Sequence, residues 1–186
     1  MTENKIEMNA SETMQDSSVA LIRVDRMYES LRYNDYSPHN GLGEIVDNSV
    51  EAKAAHINVE VTVEKVRKPG KKKATDQITE IAVVDDGCGM NQDTLHKCLA
   101  LGESIREHTG KRGIGRFGVG MTLGSISLAR RIEVYSRTRA NDDFLYTFID
   151  LDDIQQGNLL RIPGPIVQAP PKQLADILKG TSGTIV

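Results

Sequence analysis

Hydrophobic positions recur along the chain with two different periods, and the longer period predicts helices near the amino terminus. A first helix is predicted from about residue 18, and the segment 33–38 should end it because it is rich in turn-forming residues. One face of this helix carries Leu21, Val24, Tyr28 and Leu31. A second helix is predicted over about 40–54, with a buried stripe made by Leu42, Ile45, Val46, Ser49 and Val50.

The shorter period, in which every second residue is apolar, predicts strands. Ile57 to Val63 alternates with polar residues, as in a half-buried strand, and Ile78 to Val84 follows as a second strand. Helices are predicted after Asn91 and over the small-residue run Met121 to Ala129. Toward the carboxyl terminus we expect a hairpin with strands 132–137 and 144–151, a helix that starts at Pro170 and ends at Gly180, and a strand over 181–186.

Composition is typical of a globular protein with a single domain. With 186 residues, of which 39% are hydrophobic and 26% charged, the chain has room for one sizeable α/β domain. We expect a flexible polar arm over 1–17 and a domain over 18–186. No apolar run approaches the length of a membrane span and the start lacks a signal peptide, so the expected location is the cytoplasm, with no membrane partner.

Charge and cysteine content narrow the candidate chemistry. The net charge of −3 gives no general attraction to nucleic acid. The basic loop from Lys65 to Lys73 is compatible with a nucleic-acid partner but is more typical of a solvated turn. Cys88 and Cys98 lack the spacing of metal ligands, which predicts reduced thiols.

A glycine-rich loop is the feature around which the rest of the chain is organised. Four glycines lie between Gly113 and Gly120, directly before the small-residue helix. Glycine lets backbone amides approach a ligand closely, and a helix amino terminus favours negative charge, so the loop predicts a phosphate cradle. Alone, the same pattern would also suit a flexible surface loop. The polar segment 102–111 before it is expected to be a mobile lid.

One face of the second helix carries four oxygen-bearing side chains at helical spacing, namely Glu44, Asp47, Asn48 and Glu51. Most such faces are simply solvated. This one contains no lysine or arginine before Lys53, and three acids together repel one another unless a cation lies nearby. The row therefore favours a metal, though a solvated face remains the alternative.

A second acidic feature follows the second predicted strand. Asp85 and Asp86 precede Gly87 and Gly89, so that a carboxylate can project into a cleft while the backbone turns tightly around it. Aspartate and glycine are also ordinary turn-forming residues, and a plain turn is the alternative interpretation.

Taken together, these segments resemble the motifs of the GHKL ATPase family, which includes gyrase-type topoisomerases, the large heat-shock chaperone, histidine kinases and MutL, with the MORC proteins close by. The segment 44–52 is similar to the first motif, E-x-x-x-N-x-x-D-A, and 85–90 is similar to the second, D-x-G-x-G. The loop 114–121 is most like the chaperone and MORC versions of the third motif, and Gly183-Thr184 resembles the late G-T motif. Order and approximate spacing agree from about residue 20 to Val186.

The resemblance implies a Bergerat fold, an α/β (α+β) two-layer sandwich with helices on one face of a mixed, mostly antiparallel sheet. It also implies ATP and Mg²⁺ as cofactors, with Glu44 as the catalytic residue that activates or orients the attacking water. Asn48 would hold Mg²⁺, and Asp85, supported by Thr184, would accept a hydrogen bond from the adenine amino group. The other nucleotide-binding residues would be Gly87, Gly89, Met90, Gly115, Arg116, Phe117, Gly118, Val119 and Gly120.

Two positions depart from the family pattern. Glu51 stands where aspartate is usual, and Thr122 stands where the MORC-like pattern often has lysine. A cation for the phosphates would then come from Lys111, Arg112 or Arg116. In several relatives a catalytic lysine or arginine comes from a second domain, so the resemblance implies slow hydrolysis here and a place at the amino-terminal end of a longer protein.

Three functions are compatible with this resemblance. The first is a slow ATPase that acts as an ATP-gated switch and forms a homodimer when ATP is bound. The second is a histidine-kinase-type catalytic domain, although such domains usually lack a glutamate at the position of Glu44. The third is a non-catalytic interaction module that binds ATP; retention of Glu44, Asn48 and Asp85 argues against loss of ATP binding.

Overall fold

The computed structural model of the protein describes residues 21–33, 37–70, 72–102 and 119–186. In these ranges the helices are α1 (Val24–Arg32), α2 (Pro38–Glu51), α3 (Gln92–Lys97), α4 (Gly120–Leu128), α5 (Leu151–Gln156) and α6 (Lys172–Ile177). The strands are β1 (Ile57–Val66), β2 (Thr75–Asp85), β3 (Arg131–Arg137), β4 (Leu145–Asp150), β5 (Ile166–Val167) and β6 (Gly183–Ile185).

The strands of the described ranges form one sheet in the order β1-β2-β6-β3-β4-β5. Strand β6, the last in the sequence, lies in the middle, with Thr184 opposite Asp85 on one side and Ser136 on the other. The α/β fold class is confirmed. Every pair of neighbouring strands among the described residues is antiparallel, so the sheet is antiparallel rather than mixed.

Hydrophobic cores lie on both faces of the sheet. Ile132 and Val134 of β3 pack in the larger core with residues of α1, α3, α4 and α5, and α2 packs against α4 and β2. Tyr135, which alternates with them along the strand, packs on the opposite face with Val84 and Leu178. Helix α6 therefore covers the face opposite to the other helices, which adds to the two expected layers.

The first two predicted helices form, but with narrower buried faces than the sequence suggested. Helix α1 begins only at Val24, so Leu21 lies before it and is fully exposed. Ser37 begins α2 by accepting a hydrogen bond from the backbone N–H of Asn40. Because α2 turns Gly41, Ile45 and Ser49 inward, Val50 at the edge of the predicted stripe is exposed.

Strand β1 forms as predicted, but the expectation that it is half-buried is wrong. The side chains of Val59, Val61 and Val63 are 40%, 49% and 55% exposed, so exposure rises toward the tip of the β1–β2 hairpin. The reason is position: β1 is the edge strand, and among the described elements only β2 packs extensively against it. Alternation in a sequence reports the two faces of a strand, but a covering layer must exist for either face to be buried.

The second half of the fold follows the prediction closely. Strands β3 and β4 form the expected hairpin, from Arg131 opposite Asp150 to Ser136 opposite Leu145. Helix α5 was not predicted: Asp150 caps it by accepting from two backbone N–H groups, and Gly157 ends it in the left-handed conformation. Helix α6 ends at Ile177, three residues before the predicted stop at Gly180.

Candidate functional site

The carboxylate of Asp85 lies at the inner end of β2 and is 4% exposed. One oxygen accepts a hydrogen bond from Ser49 Oγ of α2 at 3.0 Å, and the other accepts from the backbone N–H of Gly87 at 2.9 Å. Burial raises the pKa of Asp85, and these hydrogen bonds only partly oppose it. The site thus keeps a strongly desolvated acceptor between a helix and the sheet, where a donor from a ligand would be bound tightly.

The neighbouring Asp86 has a separate, structural task. Its carboxylate accepts from the backbone N–H groups of Ala55 and His56, and one of its oxygens lies 2.7 Å from Nδ1 of His56. Hydrogen bonds from His56 lower the pKa of Asp86. The acidic pair of the sequence is therefore divided: the Asp85 carboxylate is buried against α2, and the Asp86 carboxylate fixes the segment between α2 and β1.

Three serines that the sequence did not mark as functional hold Asp85 and the loop after it. Ser136 of β3 accepts from the backbone N–H of Met90, donates to the carbonyl of Gly183, and lies 3.0 Å from the hydroxyl of Thr184. Ser182 donates to the carbonyl of Gly87 at 2.7 Å. Ser49, the third, was predicted only as part of a buried stripe. Serine is common in turns and on surfaces, so nothing in the sequence distinguished these three serines from others except that they lie close to motif residues.

Two glycines of the motifs are required by the backbone itself. Gly89 has φ +68°, and a side chain there would collide with the carbonyl of Arg137. Gly183 has φ +152°, and a side chain there would collide in the same way with the carbonyl of Asp85. The loop 85–90 and the segment 182–184 are thus in close contact, with Thr184 opposite Asp85 in the pairing of β2 and β6.

At the other end of α2, Glu44 lies against the first residue of α4. A Cβ on Gly120 would collide with the Glu44 carboxylate, and one on Gly124 would come within 2.6 Å of the carbonyl of Gly41. The two helices therefore approach closely because small residues line both of them. The result is a carboxylate beside the amino terminus of α4, the helix that follows the glycine-rich loop.

Helix α2 connects the two ends of the site. Ser49 touches Asp85, and Glu44 lies five residues earlier, about 7.5 Å along the helix axis. Asn48 is exposed, one turn after Glu44. Among the described residues there is no cluster of three or more His, Cys, Asp or Glu side chains that could hold a metal. Asn48 fits a metal that takes most of its oxygen ligands from elsewhere, as Mg²⁺ does from phosphates and water.

The structure brings together one subset of the predicted site residues. Asp85, Gly87, Gly89, Met90 and Thr184 lie together where β2 ends beside β6, and Glu44, Asn48, Val119 and Gly120 lie along α2 and at the start of α4. The predicted phosphate-loop residues Gly115, Arg116, Phe117 and Gly118 lie outside the described residues, as do the arm 1–17 and the lid segment from residue 103.

Two further findings bear on earlier expectations. No helix in the described part of the chain is long and apolar enough to cross a membrane. Thr122, in place of the lysine of the MORC-like pattern, is fully buried in α4, and its hydroxyl finds no hydrogen-bond partner among the described residues.

Comparison with known proteins places the chain in a family. Residues 36–184 match the family described as histidine kinase-, DNA gyrase B-, and HSP90-like ATPase. The chain is also 32% identical over 102 residues to Protein MICRORCHIDIA 5 of Arabidopsis thaliana, a match that covers 53% of this chain and 13% of that relative. The matched stretch is thus a small part of a much longer protein. The matched range includes Glu44, Asp85 and Thr184, and the chain belongs to the GHKL family of ATPases.

Proposed function

We propose that the domain binds ATP with Mg²⁺ and hydrolyses it slowly, and that ATP gates the pairing of two protomers. The observation that supports this best is the position of α2, which reaches Asp85 through Ser49 and the start of α4 through Glu44. A nucleotide lying along α2 would meet a buried carboxylate at its base and a second carboxylate at its phosphates.

At the inner end, the proposed task of Asp85 is to select adenine. The carboxylate already accepts from Ser49 and Gly87, and it can accept a further hydrogen bond from the exocyclic amino group of adenine. Guanine carries a carbonyl oxygen at that position, which would face the carboxylate without a proton between them. A site built around a buried acceptor rejects such an analogue strongly because its own group would be left unpaired.

At the outer end, the proposed task of Glu44 is to orient the attacking water and accept its proton. The carboxylate lies beside Gly120, where the amino terminus of α4 favours the negative charge of phosphates. Asn48 would hold Mg²⁺ together with phosphate oxygens. The ion, when bound, would offset the charge that develops on the transferred phosphoryl group.

The second part of the proposal is that ATP binding controls dimerisation. The arm 1–17 and the segment 102–111, which lie outside the described residues except for Gly102, would close over bound ATP and join two protomers. Such closure needs ATP to bind the closed form more tightly than the open form, since a ligand shifts an equilibrium only by its difference in affinity.

The test of binding is calorimetric titration of the chain with ADP and a non-hydrolysable ATP analogue, with and without Mg²⁺, and with GTP as control. We expect binding that is selective for adenine and stronger with Mg²⁺. Glu44→Gln should retain ADP binding and lose hydrolysis, whereas Glu64→Gln, at an exposed position of β1, should change neither. Hydrolysis at the normal rate in Glu44→Gln would exclude the proposed role of Glu44.

The switch is tested separately by light scattering. The ATP analogue should double the molecular mass and ADP should not. An unchanged mass together with normal binding would exclude the dimerisation switch while leaving the nucleotide site intact, and would favour an ATP-binding interaction module.

A further inference from the structure

Strand β1 forms one edge of the sheet, and no described strand pairs with its outer side. The backbone N–H of Asp86 donates to the carbonyl of His56, so His56 and every second residue after it turn their backbone groups toward β2. The alternate residues Ile57, Val59 and Val61 therefore turn their N–H and C=O groups outward. Such a row of backbone groups is a template for pairing with another strand.

The outer edge of β1 is regular along the strand. The one irregularity in the β1–β2 pairing lies in β2, where Thr79 is the extra residue between the partners of Thr62 and Val63. Strand β1 itself contains neither a bulge nor a proline, two devices that commonly keep edge strands from pairing. Val63 and Lys65 therefore also turn their backbone groups outward, and the edge that can pair runs from Ile57 to Lys65.

One face of this edge is apolar, and its exposure changes along the strand. The side chain of Val59 is 40% exposed and that of Val63, nearer the hairpin tip, is 55% exposed. A partner strand of the same sequence that runs in the opposite direction places the more exposed end of each strand beside the less exposed end of the other. Side chains that lie opposite each other in such a pair are about 4.5–5.5 Å apart at Cβ and shield one another from water.

We infer that the outer edge of β1 is a self-association surface, on which a second copy of the chain pairs its own β1 antiparallel about a two-fold axis at Val61. In this register Val61 lies opposite Val61 of the second copy, and Val59 lies opposite Val63. Each of these residues turns its backbone groups outward, so hydrogen bonds and apolar contacts form in the same register. The same surface serves both copies, as in other two-fold contacts, and joins the two sheets into one.

The charges of β1 favour this register over its neighbours. Glu60 lies opposite Thr62 of the second copy, and Glu64 lies opposite Asn58, so no two like charges face each other directly. An axis at Thr62 would place Glu60 opposite Glu64, and an axis at Glu60 would place two copies of that residue face to face. Like charges directly opposite each other destabilise a strand pair.

Opposite charges at the two ends of the β1–β2 hairpin favour a second copy as the occupant. The tip carries four described basic residues, namely Arg67, Lys68, Lys72 and Lys73. The other end of the hairpin follows the acidic row of α2, whose last member is Glu51. Because Lys65 lies opposite Ile57 of the second copy, each basic tip extends toward the acidic end of the other copy, and the two-fold axis makes this attraction twice.

This contact goes beyond the proposed ATP-gated pairing, because it uses neither the nucleotide-binding residues nor the arm 1–17. The test is sedimentation of the chain from micromolar to millimolar concentration with ADP present, a condition in which ATP-gated pairing is not expected. The wild type should associate reversibly to a dimer as its concentration rises.

Charge substitutions at the axis identify the register. Val61→Lys and Val61→Glu each place two like charges opposite each other and remove an apolar pair, so each should weaken dimerisation at least about tenfold. An equal mixture of the two variants places opposite charges at the axis and should associate at least about tenfold more tightly than either variant alone. Ile78→Lys adds the same charge at an exposed position of β2, away from the edge, and should associate like the wild type.

A wild type that stays monomeric, or a mixture that associates no more tightly than its separate components, would overturn the inference. Slow exchange of the Val59 and Val61 amides in dilute, monomeric protein would also overturn it, because another segment of the same chain would then cover the edge. Val61→Lys should still bind ADP, and the ATP analogue should still double its mass. Failure of the β1 contact and failure of the proposed function are therefore recognised separately.

Discussion

Replacing Asp85 by asparagine should separate nucleotide binding from stability, because the same buried charge affects them in opposite directions. The carboxylate is 4% exposed, and burial raises its pKa. Asparagine can keep both local contacts: its Oδ1 accepts from the Gly87 N–H and its Nδ2 donates to Ser49 Oγ, which can donate onward to the Ile45 carbonyl at 3.4 Å. Asp85→Asn therefore removes a buried charge while both local hydrogen bonds are kept.

The expected loss in binding follows from the hydrogen bond to adenine. A hydrogen bond to a charged group contributes about 1.5–3 kcal/mol, so its removal should weaken ADP binding about 10- to 150-fold. At ADP one hundred times the wild-type Kd, the ligand stabilises the wild type by about 2.7 kcal/mol, or about 5–11 °C in Tm. After a loss of about 100-fold, the same ADP would stabilise the variant by only about 0.4 kcal/mol, or about 1–2 °C.

Without ligand, the variant should be at least as stable as the wild type at neutral pH. A folded-state pKa above the unfolded value means that the contribution of Asp85 to stability is complete below the ordinary aspartate range and declines as pH rises through the folded pKa. The Tm difference between variant and wild type should thus grow from acid to neutral pH.

Thermal unfolding at several pH values, with and without ADP, measures both effects at once. Asp76→Asn, an exposed position on the same strand, is the matched control and should leave both unchanged. The reasoning is refuted if the ligand-free Asp85→Asn protein is markedly less stable than the wild type at neutral pH, or if ADP still raises its Tm as in the wild type.

Three further predictions concern other parts of the site. Gly120→Ala should push the Glu44 carboxylate aside and lower the rate of ATP hydrolysis about 100-fold with ADP affinity retained; equal slowing and loss of binding would argue against it. Ser136→Ala, which removes the acceptor for the Met90 N–H, should destabilise the domain by about 1–3 kcal/mol in urea unfolding, and an unchanged midpoint would contradict this network. Burial raises the pKa of Cys98 to about 12 whereas Cys88 is exposed, so a thiol reagent should modify one cysteine in the native protein and two in denaturant.

Much of the fold was predictable because its elements carry strong local patterns. Strands β1 and β2, the β3–β4 hairpin and helix α2 all lie where hydrophobic periodicity placed them. Helix α5 was missed because its signal is a cap, Asp150, and a stop, Gly157, around only six residues. A short helix of this kind has too few turns for a period to be recognised in the sequence.

The exposed valines of β1 show a different limit of prediction from sequence. Val59, Val61 and Val63 have the alternation of a half-buried strand, yet no helix of the described chain covers them. Burial depends on which elements are neighbours in space: β1 pairs with β2 alone among the described strands, whereas β6 is inserted between β2 and β3. That insertion joins residues about 100 positions apart, which local pattern does not encode.

The same distinction explains which parts of the site the sequence identified. Asp85, Glu44 and the motif glycines were recognisable because a ligand needs their particular chemistry or their lack of a side chain. Ser49, Ser136 and Ser182 hold those residues in place, and any group with a suitably directed hydrogen bond could have done so. The position of a supporting residue therefore matters more than its reactivity. Such residues are recognised only in the folded structure, in which β6 places Thr184 beside Asp85.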